Sequence, residues 1–199
     1  MKPWRHARLL LRISDSQDIM RRYFVVNGFD GAVTMLGLVM GFIMSGHSDP
    51  NVIISACLGA AIALGVSGVS SAYVSESAER RRALEELEEA MVADLRDSAY
   101  GQAARLMPLL IALVNGLAPF MISLLIISPL WLARAGVVLP LSPLIAAVVI
   151  ALVIIFLLGV FIGRVAGTSW FRSGLQTLLI AAVTMGLIYV FSGSGPSLQ

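Results

Sequence analysis

Leu141–Gly163 reads LSPLIAAVVIALVIIFLLGVFIG, 23 residues without a charge. At 1.5 Å per helical residue, a run of this length crosses a hydrocarbon core of roughly 30 Å. It lacks the period-two alternation of a membrane barrel strand and the one-sided apolar stripe of a soluble helix. Four more blocks of the same kind lie at about Phe24–Met44, Val52–Ser75, Leu106–Ala133 and Trp170–Phe191, separated by short polar breaks. The whole 199-residue chain is 58% hydrophobic and 13% charged, with a mean hydropathy of +0.88. A soluble domain carries about 25% charged residues, so a soluble single-core protein is excluded. The predicted fold class is all-α integral membrane, with five transmembrane helices per chain in contact with the lipid bilayer.

The 14 basic residues fix the expected orientation. Lys2, Arg5, Arg8, Arg12, Arg21 and Arg22 precede the first span; Arg80, Arg81, Arg82, Arg96 and Arg105 lie between the second and third; Arg164 and Arg172 lie between the fourth and fifth. The opposite side has Arg134 alone. The positive-inside rule therefore places the N-terminus in the cytoplasm and the C-terminus on the far side of an inner or plasma-type membrane. Scattered beside apolar blocks, these arginines set topology and form no nucleic-acid patch. The interrupted start of the chain is a poor signal peptide. Cys57 is the only cysteine, so no disulfide or Cys-based metal motif forms within one chain.

The expected organisation is a basic segment at 1–22, spans one and two within 23–75, an acidic helical segment at 76–105, spans three to five within 106–191, and a tail at 192–199. Residues 1–22 fit either a basic helix lying in the headgroup layer or a plain topogenic segment. Between spans, the second helix is expected to continue through Glu76–Ser98, because no Gly or Pro interrupts it. Leu84, Leu87, Met91 and Leu95 would form its apolar stripe. Glu85, Glu86, Glu88 and Glu89 occupy other faces, with Arg81 and Arg82 one turn before them. This cluster is either a solvated, salt-bridged face or a set of carboxylates that gathers cations.

Asp30 is the one charged residue well inside the five spans. An ionised carboxylate at a helix centre costs about 2.5 to 3.5 kcal/mol on insertion scales, and such residues commonly mark ion or proton pathways. With the first span centred near Thr34, Asp30 sits about 6 Å from the midplane. The structural alternative is a helix carboxylate capped by neighbouring amides or paired with Arg21 or Arg22. Asp30, Thr34, Gly37, Gly41 and Met44 share one helical face, where Gly37-xxx-Gly41 suits close approach by another helix. Gly59, Ala63, Ser67 and Ser71 form a second small-residue row. Asn115 and Pro119 mark a polar, kinked spot in the third span, with Asn115 either an oxygen ligand or an interhelical hydrogen-bond donor. Met35, Met40 and Met44 are thioether candidates; His6 and His47 fall outside the spans. No nucleotide-binding loop, zinc-protease motif or Ser-His-Asp order is present, so no enzymatic activity and no resident cofactor are expected.

Four stretches, in order, resemble the vacuolar iron transporter family: Asn27-Gly-Phe-Asp-Gly-Ala-Val-Thr-Met-Leu-Gly-Leu-Val-Met-Gly41, Ala72-Tyr-Val-Ser-Glu-Ser-Ala-Glu79, Leu117-Ala-Pro-Phe120, and Gly163-Arg164 with Trp170–Ile180. The resemblance covers most of the chain from Arg21 onward. It implies a homodimer that moves Fe²⁺ or Mn²⁺ out of the cytoplasm in exchange for protons, with the ion path on the two-fold axis. Asp30 then occupies the position of the family's first-helix aspartate. Thr34, Met44, Ser71 and Asn115 are further metal-lining candidates, and Glu85, Glu86, Glu88 and Glu89 would attract cations at the mouth. The family's second helix usually carries a Met and a Glu where this chain has Gly68 and Ala72, and Phe29 replaces a common Asn. The insert after the second span, at about 30 residues, is shorter than the three-helix metal-collecting domain of plant members. A non-transporting scaffold on the same fold, or transport of another substrate, is the alternative reading.

Overall fold

A computed structural model describes residues 16–46 and 49–193. Its secondary structure is helical: α1 (Ser16–Ser45), α2 (Pro50–Met91), α3 (Ala99–Arg134), α4 (Pro143–Val165) and α5 (Trp170–Gly193). All five are long and apolar enough to cross a membrane. Of the expected basic segment, residues 1–15 lie outside the described residues, whereas 16–22 form the first turns of α1. His6, His47 and 194–199 of the expected tail also lie outside them, and α5 continues to Gly193.

Helix ends follow local chemistry. Ser142 caps α4, its hydroxyl accepting the Ile145 amide at 3.4 Å, and Pro143 begins the first turn, where its missing N–H costs nothing. α3 and α4 end in paired reverse bonds closed by a left-handed glycine. Gly136 (φ +85°) donates to the Ala133 carbonyl while Val137 donates to Leu132 (both 3.0 Å), and Gly167 (φ +66°) stands in the same position after α4.

The expected helix over Glu76–Ser98 is corrected: α2 stops at Met91, and residues 92–98 form a bend. The stop uses the same reverse-bond motif without a glycine. The Val92 amide reaches the Glu89 carbonyl (3.4 Å) and the Ala93 amide the Glu88 carbonyl (3.2 Å), with Val92 at φ +50°. The Glu88 carboxylate then accepts the Leu95 amide at 2.9 Å, and Asp94 accepts the Arg96 amide. Ser98 starts α3 as its N-cap, its hydroxyl accepting from Gly101 at 3.1 Å. Side-chain acceptors thus replace the helical ladder, and Leu95 leaves the predicted stripe.

By its internal contacts the chain divides into two compact units, Met1–Asn27 with Gly65–Ala118, and Gly28–Leu64 with Pro119–Gln199. In the first, α2 and α3 meet backbone to backbone. A Cβ added to Gly68 would stand 3.0 Å from the Gly116 Cα and 3.1 Å from the Asn115 carbonyl oxygen. Ala103, Met107 and Ile111 of α3 pack with Ile19, Met20 and Tyr23 of α1. In the second, all five helices contribute to one core, including Met35, Leu36, Cys57, Ile126, Ile155 and Ala181. There α1 closes on α3 through Gly31, whose added Cβ would lie 2.7 Å from the Pro119 Cα. α4 and α5 pack through Gly159 and Gly174, and the buried Thr177 hydroxyl shares its proton between the carbonyls of Gly174 (2.8 Å) and Ile155 (3.1 Å). Large apolar side chains such as Leu113, Leu157 and Leu179 remain exposed, as lipid-facing helices require.

Candidate functional site

In the first unit, three helices bring together a buried polar cluster. Asn115 on α3 is 5% exposed. Its amide nitrogen donates to the Gly68 carbonyl of α2 at 2.7 Å, and its amide oxygen accepts from Asn27 of α1. The same Asn27 nitrogen also donates to the Tyr23 carbonyl at 3.0 Å, one turn back. Pro119 lacks the amide that would have bonded the Asn115 carbonyl, so this depth of α3 holds both a free helical acceptor and a side-chain amide. Of the two roles expected of Asn115, the observed bonds are those of the interhelical hydrogen-bonding one.

Glu76, also 5% exposed, is the second element of this unit. Its carboxylate accepts the Tyr23 hydroxyl at 3.2 Å and faces the Arg80 guanidinium at 3.8 Å. A carboxylate taken out of water needs such partners. Sequence reasoning did not single out Glu76, because it opens a run of charges that looks solvated. The usable signal was its spacing: four residues separate it from Ala72, which is buried, so a helical turn carries the same face onward.

The remaining predicted residues of this unit are placed as follows. Ser71 is exposed, with its hydroxyl 3.5 Å from the Gly68 carbonyl. Glu85 pairs with Arg81 at 3.4 Å and Glu86 with Arg82 at 2.9 Å, both exposed i, i+4 pairs and hence weak. Glu88 is occupied by the Leu95 amide, and Glu89 is exposed. Gly68, at the position where the resembled family has Met, has a physical reason to be small, and Ala72, where that family has Glu, is buried. The near-contact of α2 and α3 leaves no room beside Gly68.

In the second unit, Asp30, Thr34, Gly37, Gly41 and Met44 line one face of α1, as spacing predicts. Asp30 and Met44 are exposed and Thr34 half-buried. Nothing lies within 4 Å of a Cβ added to Gly41, and only the tip of Ile188, at 3.7 Å, approaches Gly37. Among the described residues the Gly37-xxx-Gly41 groove is therefore not filled, and the close approaches of α1 use Gly28 and Gly31 instead. Met35 is buried in the core, which makes it a packing residue, and Met40 is half-buried beside it. On α2, Gly59 is likewise open, with no neighbour within 4 Å of an added Cβ. Among the described residues, no three His, Cys, Asp or Glu side chains of one chain converge to hold a metal ion.

No protein-family model matches the chain. It is 31% identical over 158 residues to an uncharacterized protein of Methanocaldococcus jannaschii, MJ0645, a match that covers 78% of this chain and 79% of the relative.

Proposed function

The chain belongs to the family of the Methanocaldococcus jannaschii protein MJ0645, and for this member we propose transport of a divalent cation, Fe²⁺ or Mn²⁺, out of the cytoplasm by a homodimer that exchanges it for protons. The observation that carries the reading is Asp30. It is a carboxylate well inside an apolar span, exposed on a face of α1 that the chain leaves open at Gly41. Two-fold pairing through that face turns one carboxylate per chain into two, a hard-oxygen site suited to a divalent ion. The pair also titrates as a coupled unit, which gives a route for proton exchange. Thr34 and Met44 continue the same face toward the end of α1. The sequence resemblance to vacuolar iron transporters supports this choice of substrate, and the arginine distribution supports a cytoplasmic N-terminus in a plasma-type membrane.

Within the proposal, Glu89 is the member of the acidic cluster that draws cations from solution, since Glu85 and Glu86 pair with Arg81 and Arg82 and Glu88 caps the end of α2. Asn115 acts as a packing strut, because both ends of its amide are engaged. A second reading, a scaffold without transport, draws on Gly68: with no space for a side chain there, α2 supplies no thioether at that position.

Equilibrium Mn²⁺ binding to the full-length protein in lipid nanodiscs, read by electron paramagnetic resonance, separates the two. The expected result is saturable binding of one ion per two chains, weakened about tenfold or more, about 1.4 kcal/mol, by Asp30→Asn. Identical binding by both proteins, or none by either, would favour the scaffold.

A further inference from the structure

Where α2 turns into α3, within the first unit, the structure has a cavity of about 470 Å³, inside the roughly 300–1,000 Å³ span of small-ligand sites. Its charged lining is three arginines, Arg81, Arg96 and Arg105, against two acids, Glu85 and Glu88. Both acids are in use. Glu85 pairs with Arg81 at 3.4 Å, and Glu88 accepts the Leu95 amide at 2.9 Å. Arg96, from the bend, and Arg105, from α3, have no carboxylate within ion-pair distance among the described residues. Two guanidinium groups thus line one cavity outside any ion pair, in a lining of three arginines against two carboxylates, an arrangement that favours an anion between them. Arginine suits phosphate in particular, through paired N–H donors.

The other end of the cavity has a different character. Tyr73 and Pro108 line it, together with the Ser77 hydroxyl. These residues stand where the apolar run of α2 ends and that of α3 begins, and Leu106, Leu109 and Leu110 beside them are exposed. Tyrosine at such a boundary occupies headgroup level. A cleft that is cationic at one end and opens onto lipid-facing leucines at the other matches a molecule with a phosphate head and acyl chains. Free phosphate would use only the first half.

We propose that this cleft binds the phosphate of an anionic phospholipid, with Arg96 and Arg105 as its direct ligands. Basic pockets beside transmembrane helices are a recurrent means of recognising anionic headgroups. The bound lipid would brace the bend that ends α2, adding to the reverse bonds around Val92, the Glu88 and Asp94 caps and the Ser98 bonds to the Leu95 carbonyl. The site is independent of the cation reading, since none of its residues belongs to the Asp30 face.

The test is native mass spectrometry of the full-length, delipidated protein titrated with phosphatidylglycerol or phosphatidylcholine of the same acyl chains, with inorganic phosphate as a third arm. The expected result is about a tenfold preference for phosphatidylglycerol, lost in R96Q/R105Q and reduced in the charge-preserving R96K/R105K. Arg82→Gln, which removes one guanidinium charge outside the cleft, should leave the preference intact. Equal retention of the two lipids, or equal loss in the Arg82 variant, would overturn the proposal. Arginine-dependent binding of inorganic phosphate with no preference between the lipids would overturn the lipid assignment. Circular dichroism melting of each variant, expected to match the unsubstituted protein, keeps misfolding from being read as lost binding.

Discussion

Replacing Asn27 and Asn115 by alanine, singly and together, tests whether the polar cluster ties α1 to α3. Asn115→Ala removes two bonds, the one accepted from Asn27 and the one donated to the Gly68 carbonyl at 2.7 Å. Asn27→Ala also removes two, the bond to Asn115 and that to the Tyr23 carbonyl at 3.0 Å. The double variant removes three, because one bond is shared. Interhelical hydrogen bonds in membrane bundles average about 0.6 kcal/mol. Each single variant should therefore lose about 1.2 kcal/mol and the double about 1.8, leaving a coupling of about 0.6 kcal/mol. Truncation at the buried Asn115 adds a void term, but it enters the single and the double alike and drops out of the coupling. The assay is reversible unfolding of the four proteins in one mixed-micelle series, followed by circular dichroism. Strict additivity would refute the reasoning, since it would mean that the two amides do not meet.

Other consequences follow from backbone geometry and burial. Val92→Gly should raise stability by about 1 kcal/mol, since a left-handed valine at φ +50° is replaced by the residue that suits that position; an unchanged or lower melting temperature would contradict the assignment of the α2 end. Gly31→Ala should cost about 1 to 3 kcal/mol, as its Cβ would lie 2.7 Å from the backbone of Pro119. Chemical denaturation should show Gly41→Ala, with no neighbour within 4 Å among the described residues, to cost the fold of one chain nothing. Ser123 is fully buried with no hydrogen-bond partner for its hydroxyl among the described residues, so Ser123→Ala should stabilise by about 1 kcal/mol, a gain readable in the same denaturation series.

The helices were the legible part of the fold, because each span is an apolar run long enough to declare itself without tertiary context. Residues 92–98 were not. Their bend has no Gly or Pro, and a helix end closed by a left-handed valine leaves no compositional trace. Ser98 and the aspartates around it carried the only local signal, that of an N-cap. Asp30 was conspicuous because a charge inside an apolar run is visible on sight, and the face it shares with Thr34, Gly41 and Met44 follows from helical period alone. Glu76 was hidden for the opposite reason. A charged run from Glu79 to Arg82 follows it closely, and the hydroxyl that partners it belongs to Tyr23, 53 residues away. Likewise Gly28 and Gly31, rather than Gly37 and Gly41, make the close contacts within the chain, a choice set by where Pro119 and Ile122 of α3 fall.

Cation movement itself tests the functional account most directly. Full-length protein and Asp30→Asn, incorporated equally into proteoliposomes, are compared for Mn²⁺ uptake with and without an imposed pH gradient. The account predicts saturable uptake that the gradient drives and that the substitution abolishes. Uptake unaffected by Asp30→Asn, or no uptake by the folded, unsubstituted protein, would contradict it.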